Sequence, residues 1–357
     1  MSMKRILVTG GAGFVGASLA VRFKNRHPDT DVIVFDNLHR RGSELNLARL
    51  REAGVVFVHG DVRAPEDLNA LAEPDLILEC SAEPSAQAGY GASPAYLVQT
   101  NLAGCFNCLE LARRVNAGIM FISTSRVYPY RRLNELRFVE EETRYSLSPD
   151  QNVAGASQFG IDERFPLEGA RSLYGMTKLA AELMVAEYGD AYGLRYVIDR
   201  CGVLTGPGQM AKSDQGVFAL WMAAHYFKRD LAYIGFGGFG KQVRDFLHVD
   251  DLFDVIYEQA RNLARYNGGL FNIGGGNACN LSLRELTGLC EEITGNRIRF
   301  DRQPENRPAD VRIYISDQRR YSELAGWRPL RDGRATLASI YDWLREEERS
   351  LRGIFFT

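Results

Sequence analysis

The chain has 357 residues, which is enough for one large domain or for two smaller domains that are closely joined. Its 43 basic and 45 acidic residues give a net charge of −2, which excludes the broad electropositive surface used for bulk nucleic-acid binding. Six cysteines in a chain of this length do not make a disulfide framework. No apolar run approaches the roughly 20 residues that a membrane span needs, and the amino terminus enters a strand-like run at once. We therefore expect a cytoplasmic protein that contacts neither membrane nor nucleic acid.

Short apolar runs alternate with amphipathic stretches through the first half of the chain. The predicted strands are residues 4–9, 31–36, 55–58, 75–80, 118–123 and 195–200. The predicted helices of this half are residues 15–26 and about 94–115. Because parallel strands need crossover helices, this alternation predicts βαβ units and a parallel sheet. The strands are continuously apolar, as expected for a sheet that is covered on both faces.

The second half of the chain has a different pattern of residues. Residues 205–216 are polar and rich in glycine, which is typical of a loop, and an amphipathic helix is predicted near residues 335–350. We predict an α/β protein with a Rossmann-type, doubly wound parallel sheet and a smaller carboxy-terminal α/β substrate lobe. The nucleotide-binding domain is expected to cover residues 1–200 with contributions from about 240–275. The substrate lobe is expected to cover residues 201–239 and 276–357.

A glycine-rich turn joins the first predicted strand to the first predicted helix. Gly10, Gly13 and Gly16 recur at every third residue of this turn. Such spacing permits a tight turn and a close approach of the backbone to a pyrophosphate, which the N–H groups of the following helix also face. Asp36 ends the second predicted strand, where a carboxylate accepts hydrogen bonds from ribose hydroxyls and repels a 2′-phosphate. NAD is therefore favoured over NADP.

Tyr174 and Lys178 are four residues apart, so their side chains share a face if the segment is helical. A lysine cation beside a tyrosine favours the phenolate, which makes Tyr174 a candidate general base near neutral pH. Residues 123–125 are Ser-Thr-Ser and end the fifth predicted strand. A hydroxyl at that position is suited to hydrogen-bond the reacting oxygen of a substrate.

In this order, the glycine turn, Asp36, the Ser-Thr-Ser-Arg-Val-Tyr segment at 123–128 and the Tyr174–Lys178 pair resemble one protein family. It is the NAD-dependent epimerase/dehydratase family of the extended short-chain dehydrogenase/reductases, which modifies nucleotide sugars. The resemblance implies a catalytic triad of Thr124, Tyr174 and Lys178. In that family the tyrosine deprotonates a sugar hydroxyl, the adjacent carbon passes a hydride to NAD, and the lysine holds the nicotinamide ribose.

The resemblance also implies which residues contact each ligand. The expected NAD contacts are Gly10, Gly13, Phe14, Val15, Asp36, Asn37, Arg41, Asp61, Val62, Ala82, Asn101, Ser123, Tyr174 and Lys178. The expected substrate contacts are Thr124, Arg126, Arg200, Gln209, Gln215, Lys241, Arg244, Arg307 and Asp310. Arg244 and Arg307 are expected to bind the diphosphate, because a guanidinium gives directional, charge-assisted hydrogen bonds. Asp310 is expected to accept from the nucleotide ribose.

The two residues after Thr124 distinguish branches of the family. Dehydratases carry Asp-Glu there as acid and base for removing water, whereas this chain has Ser125 and Arg126, so dehydration is disfavoured. Other segments resemble epimerases that act at C2 of CDP-linked sugars, namely residues 36–47, 123–128, 160–167, 214–216, 240–248 and 271–275. The resemblance thus implies an NAD-dependent isomerase that oxidises a CDP-linked hexose to a keto-sugar and returns the hydride to its other face.

Alternatives to this interpretation stay open. The chain departs from the epimerase pattern at residues 80–84, at Pro129 and at residues 201–203, which border the sugar in such folds. One alternative is a nucleotide-sugar 4-epimerase, which uses the same triad. Another is a non-catalytic NAD-binding member of the superfamily, although the intact triad argues against it. A homodimer formed through the helices near 94–115 and 173–190 is expected by analogy.

Cys105 and Cys108 form a CxxC motif within a predicted helix. The motif is single and has neither a partner pair nor a histidine cluster, both of which structural zinc sites need. A buried helix face is the favoured interpretation, and no metal site is predicted.

Overall fold

A computed structural model describes residues 3–211 and 215–355 of the chain. The strands are β1 (Arg5–Thr9), β2 (Asp31–Asp36), β3 (Val56–His59), β4 (Leu76–Glu79), β5 (Gly118–Thr124), β6 (Phe138–Glu140), β7 (Tyr145–Leu147), β8 (Ala156–Ser157), β9 (Gly160–Ile161), β10 (Tyr196–Cys201), β11 (Val203–Thr205), β12 (Leu231–Ile234), β13 (Val243–His248), β14 (Gly269–Ile273), β15 (Asn280–Ser282), β16 (Phe300–Gln303) and β17 (Ile313–Tyr314). The α-helices are α1 (Phe14–Arg26), α2 (Asn46–Glu52), α3 (Pro65–Asn69), α4 (Ala95–Val98), α5 (Gly104–Val115), α6 (Tyr130–Asn134), α7 (Leu173–Tyr192), α8 (Val217–Phe227), α9 (Val249–Arg261), α10 (Leu263–Tyr266), α11 (Leu283–Thr294), α12 (Arg319–Ala325), α13 (Gly333–Glu346) and α14 (Glu348–Leu351).

Continuous apolar runs build the central sheet. All seven residues of β5 and all four residues of β4 are buried, as a strand covered on both faces requires. The strand order is β14-β10-β5-β4-β1-β2-β3, and β1 pairs in parallel with both β2 and β4. The chain therefore winds outward from β1 in both directions, which is the Rossmann arrangement. In such sheets ligands bind outside the carboxyl ends of the strands, at the point where the order reverses. The predicted fold class is confirmed.

The chain forms two compact units. The first comprises Met1–Thr124, Leu173–Arg200 and Leu252–Leu270. The second comprises Ser125–Ser172, Cys201–Asp251 and Phe271–Thr357. These bounds differ from the predicted domains, because residues 125–172 belong to the second unit and not to the nucleotide-binding domain. Residues 240–251 and 271–275 also belong to the second unit. No change of composition marks residue 124, where β5 runs directly into a 3₁₀ turn over Ser125–Val127.

The second unit is built around a small sheet and a group of helices. Strand β13 pairs in parallel with β11 and β17 and antiparallel with β15. Helices α8, α11 and α13 pack against one another. Helix α8 reads Val-Phe-Ala-Leu-Trp-Met-Ala-Ala-His-Tyr-Phe, and this nearly unbroken apolar run explains why most of its residues are buried. The predicted amphipathic helix near residues 335–350 corresponds to α13 and α14.

Helix α11 starts at a capping box in which the Ser282 side chain accepts from the Glu285 N–H group and the Glu285 carboxylate accepts from Ser282 N–H. Helix α13 starts at Asp332, whose carboxylate accepts from Ala335 N–H at 2.8 Å. These local bonds fix where both helices begin. Over residues 3–211 and 215–355, no helix is both long enough and apolar enough to cross a bilayer.

Candidate active site

The glycine turn after β1 lies against neighbouring backbone. Gly10 has φ +61°, and a Cβ atom there would lie 2.7 Å from the carbonyl oxygen of Cys80. A Cβ atom at Gly16 would lie 2.5 Å from the carbonyl oxygen of Gly10. Gly13 is the N-cap of α1 and has no side chain with which to cap the first N–H groups of that helix. The turn therefore excludes side chains, and the helix that begins at Phe14 and Val15 has no side-chain cap at its N-terminus, which suits an anion.

Asp36 ends β2 and is hydrogen-bonded to the glycine turn. Its carboxylate accepts from the N–H groups of Ala12 at 3.1 Å and of Leu38 at 2.8 Å. Burial raises the pKa of Asp36, while these two bonds and a third from the Gly13 N–H group act to lower it. An ionised carboxylate has about four lone-pair positions, so three accepted bonds leave capacity for a bond from a ribose hydroxyl. Arg41 is exposed in the loop that follows.

The ends of β2 and β3 are joined through Asn37 and Asp61. Asn37 Nδ2 donates to Asp61 Oδ2 at 2.8 Å, and Arg63 Nη2 donates to the same oxygen at 2.6 Å. The hydrogen bonds from Arg63 lower the pKa of Asp61 well below its usual range. The Arg63 guanidinium also lies 4.8 Å from the centre of the Tyr96 ring, which lies 4.2 Å from the His39 ring. The sequence analysis did not predict these contacts of Arg63 and Tyr96. The position of Arg63, two residues after Asp61, could have indicated that the two side chains form an ion pair.

Asn101 connects the segment after β4 to α7. It lies on a π-helical turn, Gln99–Ala103, that interrupts the single helix predicted over residues 94–115. Its side-chain oxygen accepts from Glu83 N–H at 2.8 Å, and its Nδ2 donates to Thr177 Oγ1 at 3.2 Å. Such π turns recur at functional sites. Ala82, another expected NAD contact, directly precedes Glu83 in the chain. Val62, also expected to contact NAD, is buried in the core of the first unit.

Helix α7 carries Tyr174 and Lys178 on its buried face. Together with Glu182 they recur at every fourth residue, and all three side chains are buried. This face packs against β5, whose last residue is Thr124. The structure thus places the three expected triad residues on two elements of the first unit that are in contact.

Glu182 is held at the far end of this face. Ser123 Oγ donates to Glu182 Oε1 at 2.5 Å, and Arg200 Nη2 donates to Glu182 Oε2 at 2.7 Å. Arg200 is only 3% exposed. The guanidinium that was predicted to contact the substrate is therefore engaged in a buried ion pair, which ties β10 to α7.

The ammonium of Lys178 is enclosed by two side chains of the central sheet. Lys178 Nζ lies 3.7 Å from Glu79 Oε2 and 3.8 Å from the centre of the Phe121 ring. The side chains of Lys178 and Glu79 are 2% and 1% exposed. Burial raises the pKa of Glu79, and the charge of Lys178 opposes that rise. The sequence analysis did not predict a role for Glu79. A carboxylate at the end of the apolar Leu-Ile-Leu strand could have indicated a buried charge that needs a partner.

The second unit contains an open pocket. Its lining includes three arginines and three tyrosines, namely Arg126, Arg171, Arg244, Tyr128, Tyr130 and Tyr314. Burial lowers the pKa of Arg244 to about 10, which leaves the group a cation at neutral pH. Three guanidiniums around one cavity give it the positive charge that a diphosphate needs, and several of their N–H groups already donate to backbone carbonyl oxygens or to Asp310.

Arg244 and Asp310 meet beside this pocket. Arg244 Nη2 donates to Asp310 Oδ1 at 3.0 Å, and Arg126 Nη1 donates to the carbonyl oxygen of Ala309 at 3.3 Å. Arg307 is half-buried in the same loop, between β16 and β17. The structure therefore brings together Arg126, Arg244 and Asp310, three of the predicted substrate contacts.

The remaining expected substrate contacts are placed differently. Lys241 Nζ donates to Glu140 Oε1 and to the Glu141 carbonyl oxygen, both at 2.8 Å. Gln209 is buried and bonds Thr205 and Leu204, both at 2.9 Å. These polar groups are engaged within the second unit. Gln215 is half-buried. Residues 212–214 lie outside the described part of the chain, so Asp214 of the predicted 214–216 segment is not described.

Cys105 and Cys108 lie on the buried face of α5, and burial raises the pKa of both thiols. Within residues 3–211 and 215–355, no group of three or more His, Cys, Asp or Glu side chains is placed to hold a metal ion.

Comparison with known proteins agrees with the geometry. Residues 6–274 match the NAD dependent epimerase/dehydratase family. The chain belongs to this family. It is 32% identical over 353 residues to the CDP-paratose 2-epimerase of Salmonella typhi, with 95% of this chain and 98% of that relative covered. It is 28% identical over 353 residues to the dTDP-glucose 4,6-dehydratase of Mycobacterium tuberculosis, with 96% and 94% covered.

Among solved structures, the UDP-glucose 4-epimerase of Thermus thermophilus in complex with NAD matches with a TM-score of 0.76. The two chains are 26% identical, and the match covers 96% of this chain and 99% of that one. The chain is therefore an enzyme of the NAD dependent epimerase/dehydratase family, as the motifs predicted.

NAD is the cofactor of this epimerase/dehydratase family member. The first unit fits it: the glycine turn has no room for a Cβ atom at Gly10 or Gly16, the N-terminus of α1 is uncapped by a side chain, and Asp36 retains acceptor capacity. The prediction of NAD is confirmed.

Proposed function

We propose that this chain is a nucleotide-sugar epimerase that inverts C2 of a CDP-linked hexose through a transient keto-sugar. The observation that carries the proposal is the pair of residues directly after Thr124. Ser125 and Arg126 occupy the positions where a dehydratase needs an acid and a base, and both line the arginine pocket of the second unit. A hydroxyl and a permanent cation do not form such a pair, since arginine stays protonated in proteins. Oxidation of the sugar is then not followed by loss of water.

Bound NAD supplies a hydride acceptor that can return the hydride in the same catalytic cycle. Tyr174 accepts the proton from the sugar hydroxyl in the first half of the reaction and gives it back in the second. Lys178, one helical turn away, stabilises the phenolate that removes that proton. The Thr124 hydroxyl donates a hydrogen bond to the reacting oxygen. These side chains lie on α7 and β5, two packed elements, so their positions are set before the substrate binds.

The arginine pocket, which is lined by Arg126, Arg171 and Arg244, supports a nucleoside diphosphate as the part of the substrate that the enzyme binds most firmly. Arg126 and Arg244 would bind the two phosphates, and Asp310 would accept from the ribose. Epimerisation requires the keto-sugar to present both faces, so the nucleotide has to be held firmly while the sugar has few fixed contacts. The CDP-paratose 2-epimerase relative favours CDP and C2.

A 4-epimerase is the second candidate, and the similarity to the Thermus thermophilus UDP-glucose 4-epimerase favours it. One experiment separates the two. The enzyme is incubated with CDP-linked or UDP-linked hexoses in deuterated water, and the inverted carbon is located by NMR. Inversion at C2 of a CDP-sugar without deuterium at that carbon is expected. Inversion at C4 would overturn the C2 assignment, and solvent deuterium at the inverted carbon would contradict direct hydride return.

We also propose a homodimer formed through α5 and α7, which pack side by side. Four apolar side chains on these helices stay exposed, namely Phe106 at 45%, Met176 at 39%, Leu183 at 63% and Tyr192 at 59%. Exposed apolar rows of this kind mark protein–protein interfaces. Light scattering of Leu183→Glu should show a monomer where the unmodified chain shows a dimer. The matched change Leu330→Glu, at a leucine of the second unit that is 75% exposed, should leave the dimer intact.

A further inference from the structure

One buried ion pair involves the lysine of the expected triad, which lies one helical turn after Tyr174. Lys178 does not face an open surface, because its side chain is only 2% exposed and its ammonium lies 3.7 Å from Glu79 Oε2. Glu79 is the last residue of β4, so it reaches the carboxyl end of the sheet, where ligands bind in this fold. Its other oxygen, Oε1, accepts from Ser81 N–H at 3.1 Å, which fixes the orientation of the carboxylate.

Three neighbouring strands build the surface on which this ammonium lies. In the parallel register Glu79 on β4 pairs with Thr9 on β1 and with Phe121 on β5. Paired residues of neighbouring strands project from the same face of a sheet. Glu79 and Phe121 therefore form one platform, and Lys178 Nζ lies 3.8 Å from the centre of the aromatic ring. The ring face adds a cation–π contact to the ion pair.

The two charges of this pair depend on each other. An unpaired ion in a protein interior costs several kcal/mol, and an opposite charge at 3.7 Å offsets part of that cost even without a hydrogen bond between the two groups. Burial alone would favour the neutral carboxylic acid at Glu79, and the charge of Lys178 acts against this by lowering the pKa of that carboxyl. The carboxylate therefore places one negative charge beside the ammonium of Lys178, which lies one helical turn after Tyr174.

The thiols of Cys80, Cys105 and Cys108 lie close enough to feel the charges of both Glu79 and Lys178. The elements packed around this pair also carry Tyr96 on α4, the Glu182–Arg200 ion pair one turn further on α7, and the Glu110–Arg113 pair on the exposed side of α5. Burial and the charge of Glu79 hold the thiols neutral, because both raise their pKa. The charges of the two ion pairs are internally balanced.

We propose that Glu79 is a positioning residue whose carboxylate holds the Lys178 ammonium on the Phe121 ring and limits how strongly that ammonium acidifies the Tyr174 phenol. The catalytic meaning of this proposal rests on the proposed function. The effect on Tyr174 itself does not, because the phenol can be titrated without any sugar.

The first test titrates Tyr174 directly in the NAD-loaded protein. The ultraviolet signal of tyrosinate is recorded against pH, and the same signal from Tyr174→Phe is subtracted to isolate one of the sixteen tyrosines. Glu79→Gln keeps the shape of the side chain and removes its charge. We expect the phenol to titrate about one pH unit lower in this variant, because one nearby negative charge is gone. An unchanged or raised titration overturns the proposal.

Asp199→Asn provides the matched control. Asp199 is also a fully buried carboxyl group of a strand in the first unit, but it bonds Gln259 at 2.9 Å. The control should leave the titration of Tyr174 where it is in the unmodified protein. A shift as large as that of Glu79→Gln would show a general response to losing a buried acid and would overturn the proposal.

A second test remains usable if Glu79→Gln folds poorly. Lys178→Met leaves the Glu79 carboxylate buried without its counter-charge, whereas the double variant Glu79→Gln/Lys178→Met leaves neither charge. The single variant should therefore unfold at a lower denaturant concentration than the double variant. Equal or reversed denaturation midpoints of the two variants would overturn the ion pair.

The titration of Tyr174 and the turnover of nucleotide sugars are separate measurements. If Glu79→Gln shifts the titration of Tyr174 but the unmodified protein turns over no nucleotide sugar, the proposed function is refuted and this inference stands.

Discussion

Ser123 Oγ and Glu182 Oε1 lie 2.5 Å apart, although the two residues are 59 positions apart in the chain. Their hydrogen bond joins the end of β5 to the buried face of α7. The same carboxylate binds Arg200 on β10, so a single acid holds one helix against two strands of the sheet. Lys178 and Tyr174 lie one and two turns before Glu182 on that face, so its anchoring sets where they lie.

Removing this acid should destabilise the first unit. Glu182→Ala leaves the Arg200 guanidinium buried without a counter-charge, and we expect a loss of about 3–5 kcal/mol of unfolding free energy in denaturant titrations. Glu110→Ala is the control, because its ion pair with Arg113 lies on α5 with both side chains more than a third exposed. The control should lose far less. Equal losses in the two variants would refute the anchoring role.

Tyr174→Phe should separate catalysis from cofactor binding. The variant keeps the ring but has no proton acceptor, so turnover should fall by at least about 100-fold while purified protein retains NAD. Turnover is followed by NMR of the nucleotide sugar, and NAD is quantified after denaturing the protein. Tyr192→Phe, at the exposed end of the same helix, should keep its activity. Undiminished turnover in Tyr174→Phe would exclude this phenol as the general base.

Arg244→Ala should weaken binding of the nucleotide part of the substrate. The guanidinium lines the pocket of the second unit and is held by Asp310, so we expect CDP to bind about 10- to 100-fold more weakly in calorimetry. Arg302 provides a comparison, because its guanidinium lies 3.7 Å from the centre of the Phe239 ring and does not line that pocket. Arg302→Ala should bind CDP normally. Unchanged affinity in Arg244→Ala would place the diphosphate elsewhere.

Asp36→Asn should reduce the preference for NAD over NADP. The amide repels a 2′-phosphate less than the carboxylate does, so the ratio of the two dissociation constants should shift by about tenfold towards NADP. The ratio is measured by fluorescence titration of cofactor-stripped protein. Asp31→Asn changes the other end of the same strand, where the side chain is 61% exposed, and should not alter the ratio. The same ratio in both variants would exclude Asp36 as the discriminating group.

The stability of the first unit should depend on Asp199. Burial raises the pKa of Asp199 to about 7 from its ordinary 3.8, so the folded protein holds a proton that the unfolded chain has already released. Stability from this group is therefore present below about pH 4 and is lost as the pH rises towards 7. As the pH rises from about 4 to about 7, the urea midpoint of Asp199→Asn should therefore fall less than the urea midpoint of the unmodified protein. Parallel pH profiles would refute the raised pKa.

Local sequence determined the central sheet and the cofactor. Strand β2 was predicted at residues 31–36 and lies at Asp31–Asp36, because a short apolar run rich in β-branched residues is typical of a buried strand. The glycine turn before α1 could also be predicted, because what a phosphate-binding turn needs is local: a tight turn, no side chains and a helix N-terminus. Asp36 was predicted from the same βαβ unit.

Only the tertiary structure decided which charges meet. Lys241 and Arg200 were predicted to contact the substrate, and the structure shows the partner that each has within the protein: Lys241 binds Glu140, 101 positions away, and Arg200 binds Glu182. The sequence also did not predict that residues 125–172 belong to the second unit or that Glu79 pairs with Lys178. The physical reason is common to all four cases. Burial and charge pairing depend on which segments the packed chain brings together, and no local pattern records a partner that lies far away in the sequence.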